Sequence, residues 1–394
     1  MIKKHFIKFA AKPNLVFTLC VLCALGGYSQ AQDFKQLHPG VEYAQVEKEI
    51  SGLKVKMNLL RLDLRKVRLD VHHALDKAIG VETTSSIAKR HDAVAAINSG
   101  FFRLDKTQFA GDAAGILQIN GELLSESEKD RAAIAIFNSA RKTKVYFGLA
   151  NSIAWVSISP NFSSLDVDGI NREAKADEAI LYTKEIKETP TSNQDVLKLV
   201  LSRCSITCGQ ATISNEKQAT PVPPDGYVFA LHGKSRGMLT DQLRQKLNDR
   251  YLSIHVSSIS KFLGKREKRI ESADDITNGV GLLVRDGKVG ITWEQEKTTK
   301  SFVETRHPRT AVAKLRDGKF LMVTVDGRSE SSGGISLYDL ADYLLSLGAV
   351  DAINLDGGGS TTMYLDGKVV NTPSDKEGER KIGDAILVTL RKKR

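Results

Sequence analysis

Apolar and polar residues alternate along much of this chain with the two-residue period of β-strands. Asn58–Leu64 and Val67–His72 show the period most clearly, and Arg65-Lys66 between them predicts a tight turn. In Leu117–Leu124 an Asn-Gly pair separates two apolar runs, which predicts a β-hairpin. Similar apolar runs predict further strands at Ala93–Ile97, Ala132–Phe137, Val145–Leu149, Tyr227–Leu231, Leu252–Val256, Ala311–Leu315, Phe320–Val325, Val350–Leu355, Thr361–Leu365 and Ala385–Leu390.

Helical periodicity occurs in only a few segments. Thr83–Lys89 and Leu239–Leu247 each predict a short helix, and Ser336 is placed to cap a third helix that Gly348 ends. Residues 173–218 are polar and irregular, which predicts peripheral strands and loops. No internal linker interrupts the pattern. The predicted fold class is therefore α+β, with mainly antiparallel mixed sheets and a few flanking helices in a single large domain.

The first residues have the order of a secretory signal. Met1–Asn14 contain four lysines and no acid, Leu15–Gly27 are apolar, and Ser29-Gln30-Ala31 supply small residues for cleavage. We therefore predict a signal peptide over residues 1–31. An uncleaved N-terminal anchor is the alternative, and a lipoprotein modified at Cys23 is a weaker one.

Composition limits the class of protein. The 394 residues are 41% hydrophobic and 26% charged, which is typical of a globular protein and excludes a disordered, collagen-like or disulfide-dense chain. Removing residues 1–31 takes away four lysines and lowers the formal net charge from +10 to +6. That charge suits anionic ligands but is too diffuse to indicate nucleic acid. No later segment is apolar enough to cross a membrane, so we expect an exported protein, periplasmic or secreted.

Two of the four cysteines lie outside the predicted signal. Cys204 and Cys208 are separated by three residues, and in an oxidising compartment this spacing favours a local disulfide. Two free thiols are the next alternative. A metal site is the least favoured, because no second Cys/His pair stands nearby.

Candidate functional residues lie where predicted strands end in small polar residues. Asp-Gly occurs seven times, and most of these pairs are expected to be turns. Asp317 and Asp366 sit in Asp-Gly-Lys hairpin tips and are set aside. Asp326 and Asp356 each follow an apolar strand and are not followed by an immediate return strand. Asn98 ends another strand, so these three side chains are candidate functional groups.

Other motifs narrow the chemistry. In Arg306-His307-Pro308-Arg309-Thr310 two guanidinium groups stand beside a strand, and Arg suits bidentate recognition of phosphate or carboxylate. For Arg306 a surface salt bridge is an equally good interpretation. The sequence contains no Walker loop, no Gly-x-Ser-x-Gly elbow and no His-rich metal motif, which disfavours a serine hydrolase and a zinc enzyme.

Five segments together carry a family resemblance. In order they are Asn98-Ser99-Gly100-Phe101-Phe102, His307-Pro308-Arg309-Thr310-Ala311, Val325-Asp326-Gly327-Arg328, Leu347-Gly348-Ala349 and Ile353-Asn354-Leu355-Asp356-Gly357-Gly358-Gly359-Ser360-Thr361-Thr362-Met363. This set resembles the phosphodiester glycosidase domain family in its bacterial exported form. The resemblance runs from about Val71 to Leu390, so we predict an N-terminal strand region at 32–70 and a phosphodiester glycosidase-like domain at 71–394.

The resemblance implies hydrolysis of a sugar that is linked through its anomeric carbon to a phosphodiester or a related acceptor. Asp326 and Asp356 are then the candidate catalytic carboxylates, with Asp112 as a lesser candidate. Arg309 and Arg328 are the candidates for holding phosphate oxygens. The other predicted substrate-binding residues are Asn98, Phe102, Thr310, Gly357, Gly358, Gly359, Ser360 and Thr361. No cofactor is expected, although a divalent cation stays an open alternative, and the expected partner is a carbohydrate or sugar phosphate.

Two other functions compete with this hydrolase. The first is a non-catalytic glycan-binding or exopolysaccharide-assembly protein of the same fold, which we would expect to have lost Asp326 or Asp356. The second is a metal-dependent phosphodiesterase that uses aspartates as hard-ion ligands. The enzymatic interpretation depends on one expectation, which is that Asn98, Arg309, Asp326 and Asp356 converge in space.

Overall fold

The computed structural model describes residues 32–128, 130–159, 163–205, 207–239, 253–263 and 268–392. The predicted signal peptide at 1–31 lies outside the described residues, and so does all of the predicted helix Leu239–Leu247 except its first residue. Gln32–Arg394 form one compact unit, in agreement with the predicted single large domain. In the part of the chain that is described, no helix has the length and apolarity needed to span a membrane.

The first fourteen strands lie before residue 205. They are β1 Lys35–His38, β2 Val41–Ile50, β3 Leu53–Leu62, β4 Val67–His73, β5 Glu82–Thr83, β6 Ala95–Asn98, β7 Leu117–Ile119, β8 Glu122–Ser125, β9 Arg131–Asn138, β10 Thr143–Ser159, β11 Ser163–Val167, β12 Gly169–Ile170, β13 Ala179–Thr183 and β14 Val196–Cys204.

The remaining strands and three α-helices complete the described residues. The strands are β15 Cys208–Ser214, β16 Tyr227–His232, β17 Ser253–Phe262, β18 Lys268–Arg269, β19 Asp275–Asn278, β20 Leu282–Arg285, β21 Lys288–Val289, β22 Arg309–Leu315, β23 Phe320–Val325, β24 Ala349–Asn354, β25 Met363–Leu365, β26 Lys368–Val369, β27 Lys381–Ile382 and β28 Asp384–Leu390. The helices are α1 Thr84–Arg90, α2 Lys300–Glu304 and α3 Leu337–Ser346.

Three sheets and one strand pair organise the fold. The eight-stranded sheet has the order β1-β2-β3-β23-β22-β24-β20-β21, and the five-stranded sheet has the order β26-β25-β6-β28-β4. The main path of the thirteen-stranded sheet is β12-β13-β16-β14-β15-β17-β10-β9-β19-β7-β8, with β11 on β10 and β18 on β17; β5 pairs with β27. Adjacent strands are antiparallel except for β12 and β13. The predicted fold class is confirmed.

The eight-stranded sheet is apolar on both faces. Met57 and Leu59 of β3 pack on one face with Leu340 of α3, whereas Leu60 and Leu62 point to the opposite face. On that opposite face they join buried side chains of the five- and thirteen-stranded sheets. Successive side chains of a strand alternate between faces, so a strand buried on both sides reads as a nearly continuous apolar run. The sheet therefore lies between helices on one side and the other sheets on the other.

The two strands on either side of Arg65-Lys66 do not form the hairpin that their tight turn suggested. The strands themselves are confirmed, and Lys66 N donates to Asp63 O at 2.8 Å in the turn. However, β3 pairs with β2 and β23, while β4 pairs with β28 in the five-stranded sheet. The turn therefore carries the chain from one sheet to another. The predicted N-terminal strand region, 32–70, is therefore divided: β1 to β3 lie in the eight-stranded sheet, and β4, which begins at Val67, lies in the five-stranded sheet.

The interpretation of residues 173–218 as peripheral is wrong. This segment contains β13, β14 and β15, and β14 lies inside the thirteen-stranded sheet between β16 and β15. Its polar appearance comes partly from Lys198, whose buried side chain donates from Nζ to Gln218 O and to Thr220 Oγ1. The favoured disulfide is present: Cys204 and Cys208 are cross-strand partners in β14 and β15 and are bonded to each other.

Several local predictions are confirmed by backbone geometry. Asn120 and Gly121 link β7 to β8 with φ of 51° and 81°, the left-handed angles that an Asn-Gly hairpin turn requires. Ser336 caps α3 by accepting from Asp339 N, and Gly348 follows its end with φ of 89°.

Candidate functional site

Three predicted strand ends meet at one edge of the fold. Asp356 N donates to Ser99 O at 2.9 Å, and Asn98 Nδ2 donates to Asp356 O at 2.7 Å. Gly358 N donates to Pro308 O at 2.9 Å, which joins the segment after β24 to the residue before β22. The end of β6, the end of β24 and the start of β22 are therefore in direct contact. The predicted convergence is observed for these elements.

The side-chain amide of Asn98 links several strand ends through hydrogen bonds. Its side chain is fully buried, and Oδ1 accepts from Thr310 Oγ1 at 2.8 Å and from Thr362 N at 3.1 Å. Together with the Nδ2 contact to the carbonyl of Asp356, these bonds occupy both ends of the amide. Asn98 and Thr310 thus hold the polypeptide that carries Asp356. Their positions favour a positioning role over the predicted contact with substrate.

Each glycine of the turn at Gly357–Gly359 lies against a neighbouring group. A Cβ on Gly357 would lie 2.8 Å from Pro308 O, and one on Gly358 would lie 3.1 Å from Arg328 Nη2. A Cβ on Gly359 would overlap Arg380 Nη2. Gly358 also has a φ of +59°, which disfavours other residues. Gly358 and Gly359 therefore let two guanidinium groups approach the main chain next to Asp356, and Gly357 lets the Pro308 carbonyl do so.

Arg309 is a buried cation. Its Nη2 donates to Phe302 O at 2.7 Å and to Thr305 O at 3.0 Å, and its Nε donates to Ile335 O at 3.3 Å. Burial and the charge of Arg328 lower the pKa of Arg309 to about 10. Across the described ranges, no carboxylate forms an ion pair with this guanidinium. Burying a charge without an opposite charge is costly, so the position favours an anionic ligand.

The surroundings of Arg309 are electropositive. Arg328 is exposed, has a φ of 61° and places Nη1 3.5 Å from Ser374 Oγ. Burial and the charges of both arginines lower the pKa of His307. Arg306 is different, because its Nη1 pairs with Asp339 at 3.1 Å and its Nη2 donates to Gly334 O. The salt-bridge interpretation of Arg306 is the one observed.

Asp356 is the carboxyl next to this cluster. Burial raises its pKa to about 6, although Ser360, the Gly357 amide and the charge of Arg380 all act in the opposite direction. Its Oδ1 accepts from Gly357 N at 2.9 Å. A carboxyl with a pKa near 6 exists in both protonation states around neutral pH. Such a group can accept or donate a proton during a reaction.

Asp326 is linked to the same turn through Asn371. Its Oδ1 accepts from Thr372 N at 3.1 Å, and burial raises its pKa. The neighbouring Asn371 donates from Nδ2 to Thr361 O at 3.0 Å. Asp326 also follows β23, which pairs directly with β22 that begins at Arg309. The two predicted carboxylates therefore follow β23 and β24, the two strands that flank β22.

Asp112 lies in a different electrostatic environment. Its pKa is raised to about 7 by burial and by the charge of Glu126, while Arg172 and Arg103 act to lower it. The charges acting on Asp356 come instead from Arg380 and Asp384. Phe102, a predicted substrate-binding residue, is half-buried in an isolated bridge to Ala113. Among the described residues no hydrogen bond joins Asp112 to Asp326 or Asp356, so its catalytic role stays a prediction.

Two charged residues at the site escaped sequence analysis. Arg380 forms a bidentate pair with Asp375, with distances of 2.7 and 3.0 Å, beside Gly359. Asp384 is buried, accepts from Gly100 N at 3.1 Å and from Thr277 Oγ1 at 2.7 Å, and raises the pKa of Asp356. Asp384 could have been identified from the sequence, because it is a charged residue at the start of the apolar strand β28. The loop that contains Arg380 has no pattern that would have identified Arg380.

Hydroxyl groups complete the site. Thr361 and Thr362 are buried, and their Oγ1 atoms have no hydrogen-bond partner within the described part of the chain. Ser360 is also fully buried, beside the carboxyl of Asp356. Buried hydroxyls are normally bonded, so unpaired ones are consistent with a site that binds a polar ligand or water.

One cluster of possible metal ligands occurs among the described residues, and it lies outside this site. Its three side chains, His72, Asp76 and His91, have ligand atoms within 4.8 Å of one another. It includes neither Asp326 nor Asp356. The metal-dependent phosphodiesterase therefore stays an alternative prediction.

Comparison with known proteins supports the family resemblance. Residues 207–389, just under half of the chain, match the family described as Phosphodiester glycosidase, so the resemblance found in the sequence is confirmed there. The chain is 38% identical over 107 residues to the SPbeta prophage-derived protein YomE of Bacillus subtilis, a match that spans 27% of this chain and 16% of that protein. It is 39% identical over 109 residues to the N-acetylglucosamine-1-phosphodiester alpha-N-acetylglucosaminidase of Bos taurus, which spans 25% of this chain and 20% of that enzyme.

Two solved structures share the fold. A protein from Synechocystis superposes with a TM-score of 0.71 at 22% identity, and covers 89% of this chain and 62% of its own. A protein from Burkholderia pseudomallei superposes with a TM-score of 0.71 at 20% identity, and covers 86% of this chain and 75% of its own. At these identities the likeness concerns the fold alone.

Proposed function

We propose that this chain, which carries a phosphodiester glycosidase domain in residues 207–389, hydrolyses the bond between the anomeric carbon of a sugar and an oxygen of a phosphodiester. Water adds its oxygen to the anomeric carbon, and the bond from that carbon to the phosphate oxygen breaks. The products are the free sugar and a phosphomonoester. The balance of atoms requires no oxidant, reductant or cofactor.

The observation that carries this proposal is the buried guanidinium of Arg309. It donates to three carbonyl oxygens, but its positive charge has no carboxylate partner in the described segments. A phosphodiester supplies one negative charge and two non-bridging oxygens that can accept hydrogen bonds from a guanidinium. Arg328 adds a second positive charge that acts on the same position, and both arginines disfavour the charged form of His307. An anionic leaving group is therefore the feature that best distinguishes this site from that of an ordinary glycosidase.

Asp356 is assigned the proton transfer. Glycoside cleavage passes through an oxocarbenium-like state and commonly uses a pair of carboxyl groups. Asp356 has a pKa of about 6 and lies directly before the glycine turn, so it can exchange a proton with water near neutral pH. We assign Asp326 as the second carboxyl of the pair. Phosphate is already a good leaving group, so holding the anion contributes more than protonating it.

The remaining predicted residues fall into two roles. The Thr361 hydroxyl, the Ser360 hydroxyl and the main chain of Gly357–Gly359 are assigned to the sugar and phosphate oxygens. Asn98 and Thr310 are assigned to positioning, because their polar atoms already bind each other. A mutation of Asn98 is therefore expected to act through the placement of Asp356.

A panel of sugar-1-phosphodiesters that differ in sugar and in anomeric configuration tests the proposal, with both the released sugar and the phosphomonoester quantified. Asp356→Asn is expected to reduce kcat by about 100-fold or more, the range that general acid–base catalysis contributes. The matched control is Asp317→Asn, in an exposed hairpin tip where Asp317 only accepts from Lys319 N. Binding of panel members without release by the wild-type protein would identify a glycan-binding protein instead. Equal turnover by the two variants would remove Asp356 from catalysis.

We also propose that the protein works outside the cytoplasm. The order of charged, apolar and small residues over 1–31 supports export. The Cys204–Cys208 disulfide supports the same compartment, because disulfides persist where the environment is oxidising. Fractionation of the native host, with the N-terminal residue of the processed chain determined, tests this. A cytoplasmic chain that retains residues 1–31 would contradict it.

A further inference from the structure

A second cluster of polar side chains lies away from the carboxyl of Asp356. His72 belongs to β4, Asp76 ends a short 3₁₀ turn at Ala74–Asp76, and His91 follows the last residue of α1. Each of the three offers one ligand atom, and these atoms all lie within 4.8 Å of one another. The rings of the two histidines are stacked with their centroids 3.7 Å apart. The sequence did not reveal the cluster because its members are spread over twenty residues and three elements.

The main chain holds these side chains in place. Ala74 N donates to Gly383 O at 2.7 Å, which ties the 3₁₀ turn to the five-stranded sheet. Leu75 N donates to Glu82 Oε2 at 2.8 Å, which ties the same turn to the entry of α1. On the far side, Ile87 of α1 is fully buried. The three side chains thus come from elements with fixed relative positions, as a binding site requires.

The cluster opens into a cavity of about 370 Å³. The cavity is also lined by Glu122, Lys184 and Glu185, in addition to His72, Asp76 and His91. A metal bound by three protein side chains at its wall would keep at least one coordination position facing this space. Two imidazoles and one carboxylate with an open position are a ligand set that proteins use for Zn²⁺.

Arg90 contacts two of the three side chains that would bind the metal. Its Nη1 donates to Asp76 Oδ2 and lies 2.9 Å from His91 Nε2. The same guanidinium also binds Glu82, through Nη2 to Oε2 at 2.6 Å. Arg90 can therefore release Asp76 and His91 while it keeps its charge partner in Glu82. In this arrangement the arginine stands where a cation would otherwise sit.

We propose that His72, Asp76 and His91 bind one divalent cation of the Zn²⁺ class, with an open coordination position toward the cavity. Imidazole nitrogen selects borderline metals such as Zn²⁺ over Mg²⁺ and Ca²⁺, which prefer oxygen ligands. The site is separate from the proposed glycosidase centre. Adjacent residues of β4 point to opposite faces, so His72 faces the cluster while His73 pairs across to Asp384 of β28. The proposal therefore does not depend on the proposed function.

Calorimetric titration with ZnCl₂ tests this site on full-length protein that has no histidine tag and has been treated with a chelator. We expect one equivalent of Zn²⁺ to bind, and His72→Ala and His91→Ala each to weaken binding by about tenfold or more. His38→Ala is the matched control, because His38 forms a 2.6 Å pair with Asp366 elsewhere in the fold. Circular dichroism of each variant shows whether it is folded, and His91→Gln serves if His91→Ala is not.

Arg90→Gln gives a second, independent result. If the guanidinium competes with the metal, this variant binds Zn²⁺ more tightly than the wild-type protein. Absorption of the Co²⁺-loaded protein in the visible region then reports low-coordinate nitrogen and oxygen ligation. The proposal is overturned if the wild-type chain takes up no Zn²⁺, if the His72 and His91 variants bind it as tightly as the His38 control, or if Arg90→Gln leaves the affinity unchanged.

Discussion

Replacing Asp356 with Asn should abolish turnover and, at the same time, stabilise the folded protein. The pKa of Asp356 is raised from 3.8 to about 6, and burial is the largest cause. A raised carboxyl pKa means that the folded state binds a proton more tightly than the unfolded state does. Between these two pKa values the unfolded state holds fewer protons, so the free energy of unfolding decreases as pH rises. Above about pH 6 the carboxyl is ionised in both states, and the free energy of unfolding decreases no further.

The size of the effect follows from the size of the shift. The shift is about two pKa units, and each unit corresponds to about 1.4 kcal/mol. Because the half-buried carboxyl keeps some contact with solvent, the expected range is about 1 to 3 kcal/mol. An asparagine amide can still accept the bond from Gly357 N without carrying a buried charge. Asp356→Asn is therefore expected to be more stable than the wild-type protein by this amount at pH 7.5.

Urea denaturation of both proteins at pH 7.5 and at pH 4.0 measures the difference. The free energy of unfolding of Asp356→Asn should exceed that of the wild-type protein by nearly the full amount at pH 7.5. The difference should be largely absent at pH 4.0, where the wild-type carboxyl is mostly protonated in the folded state. Asp317→Asn should show no such pH dependence, because Asp317 is exposed. A stability difference that is the same at both pH values would mean that burial does not destabilise the Asp356 carboxylate, and our reasoning about its pKa would be wrong.

Two further substitutions test the groups around Asp356. Arg309→Lys should lower kcat/KM by about 10- to 100-fold, because a hydrogen bond to a charged group contributes about 1.5–3 kcal/mol and lysine lacks the planar fork. Arg306→Lys, in a residue paired with Asp339, should change it less than twofold, and equal losses would count against anion binding by Arg309. Asp384→Asn should shift the limb of the pH–rate profile that reports Asp356 to lower pH, because a negative charge that raises the pKa of Asp356 is removed. An unshifted profile with reduced activity would assign Asp384 a purely structural role.

The elements of the last ninety residues could be predicted because each one carries its own local signals. Phe320–Val325 is a fully buried strand bounded by Asp-Gly and by Asp326, and Ser336 and Gly348 mark the two ends of α3. In such segments the period, the cap and the turn residue all agree. The same agreement singled out Asp326 and Asp356, since neither is followed by the immediate return strand of a hairpin.

Pairing between distant strands could not be predicted in this way. The turn at Asp63–Lys66 looks like a hairpin, yet β3 takes β23 as a partner from more than 250 residues away. Nothing in residues 58–72 encodes that choice, because it depends on burial of both faces of β3. Asp384 and Arg380 were missed for the same reason. Their importance comes from proximity to Asp356, which only the packed sheets determine.

The groups at the site share a property that ordinary structural residues lack. Arg309 is a buried cation without a carboxylate partner in the described ranges, and Asp356 is a carboxyl whose ionised form burial disfavours. Each lowers the stability of the free protein, and the two do not neutralise each other through an ion pair. An anionic ligand would supply the negative partner that Arg309 lacks. Uptake of a proton would remove the buried negative charge of Asp356. Because folding alone does not account for this arrangement, binding of an acidic ligand is the simplest physical reason for the chain to maintain it.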